Sequence, residues 1–344
     1  MLKQEDTGFC YEIHPSLGEQ EESIMQAPAF KVSLRLWPHT FLESSWTRQP
    51  EKDYADYLSF YGMASVDDPL LAQVRAGWVL EGEQRVWLQG FKPQLGDQQA
   101  AAGTLLHLHG YYDHGGLYPH LQRWALAHGL HYLAVDMPGH GLSSGSRASI
   151  DDFGIYQQFL RRLVDLLEKE NLPRPWMLSG FSTGGAVALE HLLTNNCFDR
   201  IALLAPLVRP FGWKAARKWL PLASLFFSHL PRKFRANSHD AKFLEFIRDQ
   251  DPLQARRLPL AWVKALNRWI PYIEKAPAAG EKVVIIQGEA DTTVDWQYNL
   301  TVLHRLVPTA KTFLIKDCGH HLLNEVSEKR QETLDRLTQG LLKD

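Results

Sequence analysis

The segment with the most chemical content in this 344-residue chain is Gly180-Phe181-Ser182-Thr183-Gly184, followed by Gly185. It lies between an apolar run, WMLS at 176–179, and a helical run, AVALEHLL at 186–193. A G-x-S-x-G pattern between a strand and a helix predicts a nucleophile elbow, because the tight turn pushes the Ser182 side chain out of the chain path. The flanking glycines let neighbouring backbone approach closely. A chance match in a Gly-rich loop would lack the strand before it and the helix after it.

A serine nucleophile needs a base and a group that orients the base. With an elbow serine, the order along the chain is Ser, acid, His. Downstream, the strand-like VVIIQG runs into Glu289-Ala290-Asp291-Thr292-Thr293-Val294-Asp295, which offers three carboxylates. Asp291 lies just past the strand end, where a short side chain reaches back over the sheet edge. Glu289 is the alternative, and Asp295 reads as the cap of the next helix. The base comes from Asp317-Cys318-Gly319-His320-His321, after the strand-like TFLIK, and on spacing alone either histidine serves. Two backbone N–H groups are expected to receive the oxyanion: that of Thr183, after the nucleophile, and that of Tyr111 in the loop His109-Gly110-Tyr111. Such a site performs acyl transfer to water and requires no metal or organic cofactor.

These residues need a rigid frame. Apolar runs at 104–109, 131–136, 176–180, 201–205 and 283–287 alternate with helical patterns at 118–127, 153–168, 185–193 and 297–306. This alternation predicts βαβ units and a mostly parallel central sheet flanked by helices, an α/β fold. Runs at 77–81 and 85–91 suggest a hairpin around Gly82, and 322–342 reads as a closing helix. Residues 1–75, with Pro15, Pro28, Pro38 and Pro50, show no clear alternation and are expected to form an N-terminal extension packed on the core, its first twenty or so residues polar enough for a disordered tail. The main domain is then 76–344. Within it, 207–277 is too long for a loop and is broken by Pro210, Pro221, Pro231, Pro252, Pro259 and Pro271, as expected of an inserted helical cap.

Composition narrows the function. The chain is 45% hydrophobic and 22% charged, which fits a folded protein rather than a disordered one. A net charge of -2 gives no overall field for nucleic acid. Three cysteines, Cys10, Cys197 and Cys318, are too few and too scattered for a disulfide framework. The start lacks a secretory apolar region and no run of eighteen apolar residues occurs, so the expected location is cytoplasmic.

The motifs together resemble the α/β-hydrolase superfamily, and within it the monoacylglycerol lipase and lysophospholipase branch, of serine aminopeptidase S33 type. HG-x-x-E-H of that branch resembles His109-Gly110-Tyr111-Tyr112-Asp113-His114, with Tyr118 where a Tyr is usual and Asp113 in place of Glu. D-x-x-G-H-G-x-S resembles Asp136 to Ser143, and G-F-S-T-G-G is a familiar elbow. The acid segment G-x-x-D-x-x-V-D matches Gly288, Asp291, Val294 and Asp295; G-H-x-L-L-N-E matches Gly319 to Glu325. The resemblance runs from about Gly77 to the C-terminus. It implies a Ser182-His320-Asp291 triad and a small lipid-like ester as substrate, a monoacylglycerol or lysophospholipid.

Rival readings use the same residues. His107, His109, Asp113 and His114 suggest a metal site, but their spacing departs from H-x-H-x-D-H and no downstream ligand set follows. Dehalogenases and epoxide hydrolases of the fold carry Asp where Ser182 stands. Proline-iminopeptidase-like amide cleavage and a noncatalytic lipid- or partner-binding role are the remaining alternatives. From 209 to 239 the chain carries Arg209, Lys214, Arg217, Lys218, Arg232, Lys233 and Arg235, interleaved with Phe211, Trp213, Trp219, Leu225, Phe226 and Phe227, and has no acidic residue. That segment suits peripheral contact with an anionic membrane. The bland alternative is that the aromatics pack inward while the cations face water.

Overall fold

The computed structural model describes residues 33–343 except 66 and 281. The earlier part of the extension, with its expected tail, Pro15, Pro28 and Cys10, lies outside the described residues. Among the described residues the strands are β1 (Leu71–Glu81), β2 (Gln84–Pro93), β3 (Gly103–Leu108), β4 (Leu130–Val135), β5 (Trp176–Phe181), β6 (Arg200–Leu204), β7 (His229–Pro231), β8 (Arg257–Pro259), β9 (Val283–Gly288) and β10 (Lys311–Ile315). The helices are α1 (Lys52–Phe60), α2 (Pro119–Ala127), α3 (Gly154–Lys169), α4 (Thr183–Asn195), α5 (Trp213–Phe226), α6 (Ala241–Glu245), α7 (Leu260–Ile273), α8 (Trp296–Leu306) and α9 (Ser327–Leu337).

Eight strands form one sheet in the order β1-β2-β4-β3-β5-β6-β9-β10, and β7 pairs with β8 apart from it. From β4 to β10 every pairing is parallel, while β2 joins β1 and β4 antiparallel. All residues of β3, β5 and β9 are buried, as parallel strands covered on both faces must be. The period of two divides their side chains between two cores. Leu106, Leu178, Leu203 and Ile285 pack on one face with α3 and α7, whereas Leu105, Met177, Ala202 and Ile286 pack on the other with α2 and α9. Helix α3 reaches its core through Tyr156, Phe159, Leu160, Leu163 and Leu167, the spacing of one helical stripe.

The strand order reverses at β3, whose neighbours are β4 and β5. In open parallel sheets a crevice forms beyond the carboxyl ends of the strands at such a switch point. The loop carrying Tyr111 leaves β3 there, and Ser182 leaves β5 beside it.

Three local expectations need correction. The first hairpin strand begins at Leu71 rather than Gly77, because Val74 and Ala76 are already paired and buried. The C-terminal segment is not one helix from 322 to 342: a short helical turn at Leu322–Asn324 ends at extended Glu325 before α9 starts. Glu325 is fully buried there and accepts bonds from Gly319, His239 and Val326 N–H groups, which a continuous helix would prevent. The residues between β6 and β9 are helical but also hold the β7–β8 ribbon, whose three-residue strands contain Pro231 and Pro259. In this inserted segment α7 is the keel: Trp262, Leu266, Trp269 and Ile273 are buried, and Trp269 Nε1 donates to Glu190 at 2.7 Å. Helix α5 rides outside, with only Trp213 and Leu220 buried.

Candidate active site

Ser182 occupies the turn between β5 and α4 with φ 52° and ψ -110°, outside the favoured regions for a residue with a side chain. Conformations of this kind cost on the order of 1–3 kcal/mol and persist only where the surroundings hold them. The holding is visible at the flanking glycines. A Cβ on Gly180 would collide with the Gly184 carbonyl, and one on Gly184 would collide with the carbonyls of Leu108 and His109. The elbow thus needs glycine at both positions, because α4 begins against the end of β3.

His320 lies between the serine and a carboxylate. Its Nε2 is 3.0 Å from Ser182 Oγ, and its Nδ1 is 2.7 Å from Asp291 Oδ2. An ionised carboxylate only accepts, so Nδ1–H donates to Asp291 and Nε2 is left to accept the Ser182 O–H. Asp291 also accepts from Gln287 Nε2 at 3.0 Å and from the N–H groups of Thr293 and Val294 at 2.7 and 3.2 Å. Burial pushes this carboxyl up, but the adjacent His320 and these hydrogen bonds outweigh it and hold it below the usual carboxylate range. Glu289 is exposed, and Asp295 stands at the start of α8 without a side-chain capping bond. Of the three carboxylates in that loop, the fold brings Asp291 to the histidine.

The tandem histidines diverge. His321 is buried between Phe181 and Phe243, 3.9 Å from Asp113, and burial brings its pKa down to about 4. It is therefore neutral near pH 7. The loop is pinned on either side of His320, by Gly319 N–H to Glu325 at 3.0 Å and by His321 N–H to the Asn237 carbonyl at 2.9 Å.

The N–H groups of Thr183 and Tyr111 donate to no acceptor among the described residues. Thr183 is the first residue of α4, where helical N–H groups point out of the end and favour negative charge. On the Tyr111 side, His109 fixes its loop: Nδ1–H donates to the Gly110 carbonyl at 2.7 Å and Nε2 accepts from Met137 N–H at 2.8 Å. The shorter Asp113 still reaches its neighbour, accepting from Tyr118 O–H at 2.7 Å, while Tyr118 accepts from Gly110 N–H at 3.3 Å. His107 and His114 turn to separate partners, Ser179 and Asp251, rather than to a shared centre.

The family model described as serine aminopeptidase, S33, matches residues 99–327. The chain belongs to this family. It is 26% identical to monoglyceride lipase of Homo sapiens over 226 residues, covering 63% of this chain and 74% of that protein. Monoacylglycerol lipase of Mycolicibacterium smegmatis is 32% identical over 89 residues, or 26% of this chain and 32% of that one. Among solved structures, a soluble variant of monoglyceride lipase from Saccharomyces cerevisiae, in complex with a substrate analog, superposes with a TM-score of 0.66 at 16% identity, covering 77% of this chain and 94% of that one. That likeness is one of fold, and it places this S33 member in the α/β-hydrolase architecture.

Several residues at the site escaped the sequence. Gln287 is the last residue but one of β9, whose pattern reads only as apolar, yet its amide holds Asp291. Trp262, Arg232 and Asp251 reach the Tyr111 loop from the inserted segment, and no local pattern links residues so far apart.

The three carboxylates separate by activity. Asp291→Asn is expected to lower kcat on a soluble ester by about four orders of magnitude, because an amide favours the wrong imidazole tautomer. Glu289→Gln and Asp295→Asn should each stay within about threefold of the parent, a margin ordinary for side chains that do not reach the histidine. The Asp291 carboxylate's contribution to stability should be full above the ordinary aspartate value, fall progressively as the pH drops below it, and be gone once the pH passes its lower folded pKa, which thermal melts of parent and Asp291→Asn across pH 2–6 would reveal.

Proposed function

We propose that this S33-family hydrolase cleaves a lipid-type carboxylic ester, such as a monoacylglycerol or lysophospholipid, through an acyl-enzyme on Ser182. The observation that carries the reading is the hydrogen-bonded series Ser182–His320–Asp291 at the N-terminus of α4. Ser182 Oγ attacks the ester carbonyl while His320 Nε2 takes its proton, and Asp291 stabilises the imidazolium. The carbonyl oxygen becomes an oxyanion between the N–H groups of Thr183 and Tyr111, each worth roughly two to three orders of magnitude in rate. Collapse expels the alcohol, which receives the proton from His320. Water then attacks the acyl carbon, its proton passes through His320 to Ser182, and the fatty acid leaves.

The family description favours a second reading, aminopeptidase-like amide cleavage. A free amino terminus would need a carboxylate to bind it, and the two near the Tyr111 loop are engaged: Asp113 accepts from Tyr118, and Asp251 from Tyr61 and Gln254. The ester reading is therefore preferred. The relatives named monoglyceride lipase support a lipid acyl group.

Where the enzyme meets such a substrate follows from α5. Trp219, Leu225 and Phe226 are 67%, 77% and 72% exposed, and Lys214, Arg217 and Lys218 are exposed on the same helix. Among the described residues no helix is long and apolar enough to cross a membrane. Exposed aromatics beside cations suit a peripheral hold on an anionic lipid surface, at about 1 kcal/mol per cation. Arg209 and Arg232 do not belong to that surface: Arg209 pairs with Glu274 at 2.7 Å, and Arg232 lies between the Tyr112 and Phe234 rings.

A panel of monoacylglycerols, lysophospholipids and aminoacyl anilides tests the chemistry. Ester hydrolysis should dominate and disappear in Ser182→Ala; anilide cleavage at a comparable kcat/KM would replace this reading with the peptidase one. Flotation with anionic vesicles tests the location. Binding should weaken as salt rises and fall when Lys214, Arg217 and Lys218 become Gln together, whereas equal failure to float with anionic and neutral vesicles would leave α5 a plain cover.

A further inference from the structure

The loop after β3 is gripped by the inserted segment at three of four consecutive residues. The Tyr111 ring stacks on Trp262 of α7, with centroids 3.9 Å apart and planes 23° from parallel, and its hydroxyl donates to the Ala148 carbonyl at 2.6 Å. Tyr112 has φ 72°, a left-handed conformation unfavourable for a tyrosine, and the Arg232 guanidinium lies 4.0 Å over its ring. His114 Nε2 is 3.0 Å from Asp251. The grips are joined to each other, because Gln254 donates to Asp251 at 2.8 Å and accepts from Arg232 at 2.5 Å. Asp251 also receives the hydroxyl of Tyr61, from just past α1, at 2.8 Å.

We infer that Trp262, Arg232 and Asp251 are positioning residues for the oxyanion donor, so that acyl transfer requires the inserted segment to be seated. The inference rests on the reading of Tyr111 N–H as one of the two oxyanion donors. None of the three touches the Ser182–His320–Asp291 series, which is held elsewhere: Gln287, Thr293 and Val294 hold Asp291, Glu325 holds Gly319, and the Asn237 carbonyl holds His321 N–H. Loss of these three grips therefore leaves the nucleophile and base in register but frees the Tyr111 loop to relax from its left-handed turn. A donor misplaced by about 1 Å loses on the order of a hundredfold in rate. Because α5 belongs to the same segment, an event at the lipid surface has a direct mechanical route to the chemical step.

The test uses the full chain with Trp262→Leu, Trp262→Phe and Arg232→Met. Each is compared with the parent for kcat and KM on a short soluble ester, for its pH profile, and for inhibition by a trifluoromethyl ketone of the same acyl length. That ketone adds reversibly to a serine and carries an oxyanion in the adduct. Trp262→Leu should lose kcat and ketone affinity in parallel, by about 10- to 100-fold, with KM within about twofold and the pH profile unmoved. Trp262→Phe should recover most of both, since a ring is restored. Arg232→Met, at a partly buried site, should show a smaller parallel loss and serves if Trp262→Leu folds poorly. Unchanged kcat in Trp262→Leu and Arg232→Met, or a loss of kcat with ketone affinity intact, would overturn the inference alone. A parent protein that turned over the ester but ignored the ketone, or kept activity in Ser182→Ala, would instead overturn the serine-hydrolase reading beneath it.

Discussion

A nucleophile must stand clear of its own backbone, and the proposed one, Ser182, does so because it is forced into a positive-φ turn at the end of β5. A side chain in that conformation is held only if the residues around it leave the chain no alternative. The parallel sheet supplies the constraint. Strand β5 is buried along its length, α4 starts immediately after Ser182, and β3 ends against the first turn of α4 where only glycine fits. The same crowding that strains the serine brings the Tyr111 loop to it. The turn at Ser182 and the place of the Tyr111 loop, the proposed nucleophile and oxyanion loop, are thus consequences of one packing event between adjacent strands.

Charge is distributed with equal economy. Asp291 is a buried carboxylate that stays ionised because three donors and a histidine surround it, so His320 is held in one tautomer. His321, one residue on, is buried with Asp113 no nearer than 3.9 Å, and burial keeps it neutral, so the two histidines meet different surroundings from nearly the same place in the chain. At the far side of the site Asp251 is held down to about 2: burial would raise it, but His114 and several hydrogen bonds outweigh that. A permanent anion there gives the inserted segment a fixed hold on the Tyr111 loop across the pH range of ordinary function.

What the sequence revealed follows from where the information is local. Alternating apolar strands and striped helices expose the sheet, and the elbow glycines expose Ser182 because their cause, close backbone approach, lies within a few residues. Asp291 is favoured over Glu289 by its place just past the strand end as well as by the resemblance, whereas His320 is separable from His321 only by the resemblance, since spacing alone does not show which side chain faces the crevice. Contacts made at long separation left no pattern: Asp251 meets His114 across 137 residues, and Arg232 read as one more surface cation in a basic run. The three-residue strands β7 and β8 are too short for periodicity, and Glu325 breaks the last helix for a reason located at Gly319 and His239.

The central claim is that Ser182 carries the acyl group between the two halves of the reaction. Rapid-quench mass spectrometry on an ester with a good leaving group tests it directly, because acyl-enzyme accumulation gives a burst of alcohol release when deacylation is the slower half. The account predicts a burst approaching one equivalent per chain, with the acyl mass on the peptide containing Ser182 and gone again as turnover ends. An acyl mass on any other residue, or turnover with neither burst nor adduct even at low pH and low temperature, would contradict it.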